Sequence, residues 1–451
     1  MTGVQTCALP ILAALRVVVE ALGDRAALLG MLRDNPAAAE LLCAVLGTSR
    51  LLGDLLARHP ELVGAMADER GLAPGRSRGE LVAEACATVA RHDDPARAWD
   101  ALRRFKRREL VRVAVRDLTA RARPAGGRAP EDVVAGVGVE LAALAEACLE
   151  AGLVVAARGV ADAELVRLAV LGMGKLGGAE LNYVSDVDVL FCHEPLAGVD
   201  GEVAARAAVR VVRALLSGLG AVTPEGACFR VDANLRPEGR NGALSRSLGS
   251  YGAYWDRWAE PWEFQALIKV RPVAGDRGLG ARFCVAAAAR TWPERLDADT
   301  IAAVRRMKAR VESERLPAGT DLRLHLKLGP GGLADVEWTT QLLQLRVGRE
   351  QPAVRVPGTL PALAALAEAG ALDRREAEWL ADAYRLCLRT RNVAYLVAGR
   401  RVESLPTDPG ALERLARAMG EPGRQRLLES YRRVTRRARR VVMARFWDDP
   451  E

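Results

Sequence analysis

Two aspartates two residues apart, Asp186 and Asp188, stand at the head of a short apolar run, Val187 to Cys192 (VDVLFC). Alternation along a strand turns residues i and i+2 to the same side. The two carboxylates therefore project together, while Val187 and Val189 face the other way. Adjacent carboxylates repel one another, so a structural strand has little reason to place them so. Divalent cations give a reason: oxygen donors of this kind suit Mg²⁺, and two ions about 3.5–4 Å apart grip the phosphates of a nucleotide during in-line displacement. A third acid, Asp232, lies in the alternating stretch CFRVDANL (228–235), which leads into Arg236, Pro237 and Arg240. Asp186, Asp188 and Asp232 form the expected catalytic and two-metal set. Arg236 and Arg240 are candidate bidentate donors to phosphate. Upstream, Gly177-Gly178 would let the backbone approach a triphosphate and present N–H donors to it. Lys175 and Ser185 complete the nucleotide-binding candidates.

These residues need an α/β frame. LVRLAVL (165–171), VDVLFC (187–192) and CFRVDANL (228–235) read as strands: short, apolar or alternating, and bounded by glycines. On either side the pattern is helical. The expected organisation is an N-terminal helical domain (12–160), an α/β core (161–290) and a C-terminal helical bundle domain (291–451). The segment ALRRFKRRELVRVAVRDL (101–118) places Leu102, Phe105, Leu110, Val113 and Leu118 on one face, with a basic face opposite that reads as solvated. RARPAGGRAP (121–130) reads as a linker. Trp255, Trp258 and Trp262 lie at near-helical spacing, which means core packing more often than base stacking. Gly329-Pro330-Gly331-Gly332 followed by Asp335 and Glu337 reads as a turn and cap opening a helix. Residues 1–11 (MTGVQTCALPI) join poorly to the pattern behind them and resemble translated adaptor sequence, so the natural chain is expected to begin further upstream.

Composition narrows the class. Of 451 residues, 50% are apolar and 27% charged, which suits a folded, multi-domain chain. A net charge of +8 suits phosphate-bearing ligands or an acidic partner and does not by itself argue for nucleic acid. The eight cysteines are scattered without a C-x-x-C pair, which argues against a disulfide framework or structural zinc and for a reduced, cytoplasmic protein. No apolar run is long enough for a membrane span.

The longer text is more specific. GMGKLGGAELNYVSDVDVLF (172–191), RVDANLRPEGRNGALSRSL (230–248), WEFQALIKVRPVAGD (262–276) and HLKLGPGGLADVEWTTQLLQL (325–345) resemble the glutamine synthetase adenylyltransferase/adenylyl-removing enzyme family. The resemblance runs from about residue 28 to 447 and covers one of that family's two tandem halves. It implies a mainly α chain with a central polymerase-β-like nucleotidyltransferase core flanked by helical domains. It also implies two Mg²⁺ ions, ATP as substrate, a tyrosine of glutamine synthetase as acceptor and a PII-type nitrogen signal protein as a further partner. ELNYVSDVDVLF and WEFQALIKVRPVAGD lean towards the half that removes AMP by phosphorolysis, releasing ADP. The leading helical module, ARVESERLPAGTD (309–321), RTRNVAYLVAGRRVESLP (389–406) and the chain end lean towards the half that attaches AMP, and this longer match leads. The family places Lys327, Asp335 and Glu337 beside the active cleft.

Three rivals stand beside this reading. Gly172-x-Gly174-x-x-Gly177 matches a dinucleotide fingerprint but predicts alternating βαβ units, whereas long helical blocks flank it. An RNA-directed nucleotidyltransferase would share the acids, yet nothing outside the catalytic segment supports it. A non-catalytic helical scaffold would leave three aspartates and two glycine turns without a purpose.

Overall fold

A computed structural model describes residues 5–21, 25–67, 76–119, 130–292, 296–316 and 319–448. The chain is mostly helical, with one small mixed sheet. The first helices are α1 (Gln5–Ala21), α2 (Arg25–Asp34), α3 (Pro36–Thr48), α4 (Arg50–Arg58) and the short α5 (Gly64–Ala67). Helices α6 (Arg78–Ala90), α7 (Pro95–Thr119) and α8 (Pro130–Arg158) follow. Asn35 caps α3 through Ala38 N at 3.0 Å, as the Asp34-Asn35-Pro36 sequence implies. Most of the linker expected at 121–130 lies outside the described residues; Pro130 opens α8.

The α/β portion runs β1 (Val166–Gly172), α9 (Gly174–Gly177), β2 (Val187–Pro195), α10 (Gly201–Gly220), β3 (Val231–Asp232), β4 (Arg246–Ser247), α11 (Leu248–Trp255), α12 (Pro261–Leu267), β5 (Arg271–Gly275) and α13 (Arg277–Thr291). The strand order is β3-β2-β1-β5, with β4 continuing along β2 beyond β3. Strand β1 is antiparallel to both β2 and β5, whereas β3 and β4 run parallel to β2. An antiparallel β1–β2 pair joined through a single helical turn is not a βαβ unit, so the glycine fingerprint does not open a dinucleotide fold. The third expected strand is much shorter than its alternation suggests. Its first residues are held by α10, since Cys228 N and Phe229 N both donate to Leu219 O at 3.1 and 3.2 Å. Beyond Asp232 the chain turns, and only two residues pair.

The C-terminal helices are α14 (Ala298–Arg315), α15 (Leu333–Val347), α16 (Thr359–Glu368), α17 (Arg374–Ala398), α18 (Pro409–Ala418) and α19 (Arg424–Val442). They enclose a core of their own around Leu380, Tyr384, Leu415, Leu427 and Phe446. A second core joins α6, α7 and α8 to one face of the sheet through Phe105, Leu144, Val170, Val189 and Leu215. On the other face Tyr251, Trp255 and Phe283 pack edge to face. Trp255 is thus core, Trp258 is exposed and Trp262 is half-buried.

The basic face of α7 is only partly solvated, with Arg104 exposed. Leu102, Phe105, Val113 and Leu118 are buried as expected, but Arg103 and Arg107 are only 3% and 6% exposed. Arg107 pairs with Glu225 at 2.8 Å, Arg108 with Glu84, and Arg76 with Glu109 at 2.9 Å. A helix buried on several sides retains charges only when each is paired, and the pairing acids come both from α7 itself (Asp100, Glu109) and from distant positions (Glu84, Glu225).

Arg271 anchors the turn that leads into the strand of aspartates. It pairs with buried Glu146 of α8 at 2.5 Å and donates to Leu176 O and Gly177 O at 3.0 and 3.2 Å. A Cβ added at Gly177 would lie 1.8 Å from Lys269 O and 2.8 Å from Gly172 O, both backbone atoms. Gly177→Ala is therefore expected to destabilise the chain by about 1–3 kcal/mol through overpacking, read as a lowered denaturation midpoint. An unchanged midpoint would contradict this packing.

Candidate active site

Strand β2 delivers the acids. Its register against β3 sets Val187 opposite Val231 and Asp188 opposite Asp232, so Asp188 and Asp232 are direct neighbours on parallel strands. Asp186 precedes β2 by one residue and lies 3.6 Å from the guanidinium of Arg230, a largely exposed side chain. Asp232 accepts from Asn234 N at 2.7 Å, which stops the strand and fixes the carboxylate. Asp188 reaches over the α9 turn, where a Cβ on Gly174 would lie 2.5 Å from its Oδ2. Gly174 has φ +50, a left-handed conformation that favours glycine. All three aspartates line one cleft of about 640 Å³, together with Gly174, Lys175 and Ser185. That volume lies within the roughly 300–1,000 Å³ typical of small-molecule sites.

The opposite wall comes from the C-terminal bundle and α12. Glu337 and Trp338 of α15, Lys327 before it, and Trp262 and Gln265 of α12 line the same cleft. Lys175 pairs with Glu337 at 2.5 Å and donates to Tyr384 Oη at 3.0 Å. Tyr384 donates to Glu180 Oε2 at 2.8 Å. Glu180 also takes Lys269 Nζ at 2.5 Å, Thr359 Oγ1 at 2.9 Å and Thr359 N at 3.1 Å. This buried network ties the sheet side (Lys175, Glu180, Lys269) to α15, α16 and α17.

Burial alone would raise the Glu337 carboxyl, but the ammonium groups of Lys175, Lys269 and Lys327 outweigh it and hold it well below the usual range. Burial likewise opposes the charge on Lys269, and the carboxylates of Glu180, Glu337 and Asp188 reverse that and hold its ammonium above the usual range. Lys327 differs. Burial and the neighbouring Arg391 guanidinium lower it, and it forms no ion pair among the described residues.

The remaining candidates fall elsewhere. Gly177 and Gly178 end the α9 turn and do not line the cleft; Gly177 serves the contact with Lys269 O. Arg236 is buried and donates to the carbonyls of Ala233, Arg240 and Gly242, each at 2.9 Å, so its guanidinium braces the loop after β3. Arg240 is exposed and outside the cleft lining. Asp335 is buried against Lys308 at 2.6 Å, Arg439 at 2.9 Å and Gly331 N at 2.7 Å, which is the structural cap of the Gly-Pro-Gly-Gly turn. Sequence reasoning overlooked Lys269, whose signal was a lone lysine in an otherwise apolar stretch, ALIKV (266–270). It also undervalued Gly174, which lay in plain view within the glycine pattern.

Could the acids hold a divalent cation? Among the described residues no three acidic, histidine or cysteine groups converge tightly enough to cage one. The donor chemistry nonetheless suits Mg²⁺, which is commonly bound through one or two carboxylates plus the substrate's phosphates rather than by an all-protein cage. An open edge of carboxylates facing a cleft is the arrangement that mode of binding needs.

Residues 39–286 match the family model described as glutamate-ammonia ligase adenylyltransferase. The chain belongs to that family. Residues 302–446 match a second model, GlnD PII-uridylyltransferase. The chain is 44% identical over 446 residues to the bifunctional glutamine synthetase adenylyltransferase/adenylyl-removing enzymes of Streptomyces avermitilis and Streptomyces coelicolor. It is 43% identical over 442 residues to the enzyme of that name from Mycobacterium leprae. Each of these alignments covers 96% of this chain and 43–44% of the relative, so the chain spans less than half the length of the relatives it matches. No helix among the described residues is long and apolar enough to cross a membrane.

Removing one member of the buried pair should cost more than removing both. Glu337→Leu, which strands the Lys175 ammonium, is expected to destabilise by about 3 kcal/mol, with Lys175→Met/Glu337→Leu recovering part of that loss. Equal losses in the single and double variants would contradict the coupling. The pH dependence has a definite sign. Glu337 and Glu403 are both held below their ordinary 4.5, Glu403 at about 2 by Arg391 and Arg401 against its burial. Their contribution is full above pH 4.5 and is lost as pH falls towards about 2. Acid unfolding monitored by circular dichroism should shift to higher pH in Glu403→Gln.

Proposed function

We propose that this chain transfers AMP from ATP to a tyrosine hydroxyl of glutamine synthetase, as one catalytic half of a longer bifunctional enzyme. The observation that carries this reading is the β2–β3 register: it sets Asp188 beside Asp232, with Asp186 one residue before the strand, at the edge of a nucleotide-sized cleft. That arrangement suits a polymerase-β-like nucleotidyltransferase core. The similarity of the chain to named adenylyltransferases supports the substrate and the acceptor.

In this reading Asp186, Asp188 and Asp232 would hold two Mg²⁺ ions. When bound, such ions neutralise phosphate charge and lower the pKa of an attacking hydroxyl. The chain's own residues orient the reactants. Asn234 N holds the Asp232 carboxylate, and the glycine at 174 leaves the space that the Asp188 carboxylate occupies, so both acids are placed before charge develops. Lys327, which forms no ion pair among the described residues, lines the cleft and is placed to receive phosphate oxygens. Lys175, committed to Glu337, fixes the wall instead. Trp262 and Trp338 add aromatic surface to the cleft wall. The tyrosine hydroxyl attacks the α-phosphorus, its proton leaves, and the bond to the departing pyrophosphate breaks. The same carboxylates would also suit the removing reaction, in which phosphate attacks that phosphorus, the bond to the tyrosine oxygen breaks and ADP leaves. The C-terminal bundle, which matches the uridylyltransferase model, is the part proposed to meet a PII-type signal protein.

The test is label from α-³²P-ATP entering unmodified glutamine synthetase in the presence of Mg²⁺. Incorporation is expected for the wild-type chain, with a loss of at least a hundredfold in Asp186→Asn and Asp188→Asn and no change in their unfolding midpoints. ADP release from pre-adenylylated synthetase and phosphate, without incorporation, would make this the removing half. Retained turnover in either variant would overturn the two-metal assignment.

A further inference from the structure

A second, larger cavity of about 1190 Å³ adjoins the cleft, and Lys327, Leu328 and Arg401 line both. Its walls come from the turn between α3 and α4, the segment after α17 and the helix α18. Gly399, at φ +67, ends α17 in the left-handed conformation and turns the chain so that Arg400 and Arg401 follow at the cavity rim. The segment is then pinned to the residues before the Gly-Pro-Gly-Gly turn by Leu326 N to Glu403 O and Leu405 N to Leu324 O, both at 2.9 Å.

The charges in this cavity do not balance. Its acids are already engaged: Asp54 lies 3.7 Å from Arg50, Asp321 takes Arg323 at 3.2 Å, and Glu403 takes Arg391 and Arg401 at 2.7 and 2.5 Å. Arg400, Arg414 and Lys327 line the same space and form no ion pair among the described residues. Between the charged positions the lining is mixed, with Leu46, Val397 and Leu415 supplying apolar surface beside Thr48, Ser404 and Thr407. The volume exceeds the roughly 300–1,000 Å³ of small-ligand sites. Unpaired cations beside apolar surface complement a polypeptide that carries both acidic and apolar side chains.

We propose that this groove holds an acidic segment of the protein acceptor, adjacent to the residue whose hydroxyl enters the aspartate cleft past Lys327. The proposal rests on the adenylyl-transfer reading for the acceptor's identity but on the cavity alone for its chemistry. A chain lying in the groove needs only to cross the shared Lys327–Arg401 boundary to present a side chain to Asp186 and Asp188. Specificity for the protein substrate would then be read outside the nucleotide site.

The test is the double variant R400E/R414E of the 451-residue chain, at two exposed positions outside the nucleotide cleft. A wild-type unfolding midpoint establishes that the variant is folded, and R400A/R414A serves as the milder form if it is not. The first readout is fluorescence anisotropy with a labelled peptide of glutamates and leucines around one tyrosine. Its affinity is expected to fall at least tenfold in the variant. The second is steady-state label transfer, in which KM for glutamine synthetase should rise at least tenfold while kcat and KM for ATP stay within twofold. Equal peptide affinity in wild type and variant overturns the groove. Weakened ATP binding in place of weakened peptide binding also overturns it, since the cavity would then serve the nucleotide or another small anion. If wild type binds the peptide and the variant does not, yet no AMP is transferred by either, the groove stands and the adenylyl-transfer reading fails.

Discussion

A carboxylate buried between chain segments far apart in sequence must find several donors or be expelled, and Glu180 finds three residues to supply them. Lys269 comes from the approach to β5, Thr359 from the start of α16 and Tyr384 from the middle of α17. Tyr384 passes the connection to Glu337 and Lys175. Half-satisfied networks of this kind are costly and fully satisfied ones specify a single arrangement. The bundle therefore sits against the sheet in one register, and the cleft between them has a defined width. The aspartates occupy one side of that width and Lys327 the other.

The same constraint explains which residues were legible beforehand. Asp186, Asp188 and Asp232 could be read because strand alternation is a local rule, and β1 and β2 were visible as apolar runs bounded by glycine. The extent of β3 was not, because its truncation depends on the capping of Asn234 N by Asp232 and on α10 holding Cys228 and Phe229. Arg236 looked like a phosphate ligand, yet its acceptors are three backbone carbonyls, and no side-chain pattern announces those. The arginines of α7 looked solvated because Glu84 and Glu225 lie on other elements. Glu180, Thr359 and Tyr384 carry no local signature at all, since the separation of 204 residues between Glu180 and Tyr384 is closed only by the fold.

Electrostatics divides the cations of the site by function. Lys175 and Lys269 are paired with acids and hold structure, whereas Lys327, where both cavities meet, forms no ion pair among the described residues. A positive group left unpaired at the junction of two pockets favours anions on either side of it. In the proposed reading, phosphate would lie on one side of it and the acidic segment of the acceptor on the other. The family match over residues 39–286 contains the sheet with its aspartates and α12 of the facing wall, and the match over 302–446 contains the bundle that supplies the rest of that wall.

The most direct test of this account is a crystal structure of the chain grown with Mn²⁺ and a non-hydrolysable ATP analogue, using anomalous scattering to locate the metal. Manganese peaks beside Asp186, Asp188 and Asp232, with the triphosphate between them and Lys327, are the predicted result. Nucleotide bound outside this cleft, or bound within it with no metal near the three aspartates, would contradict it.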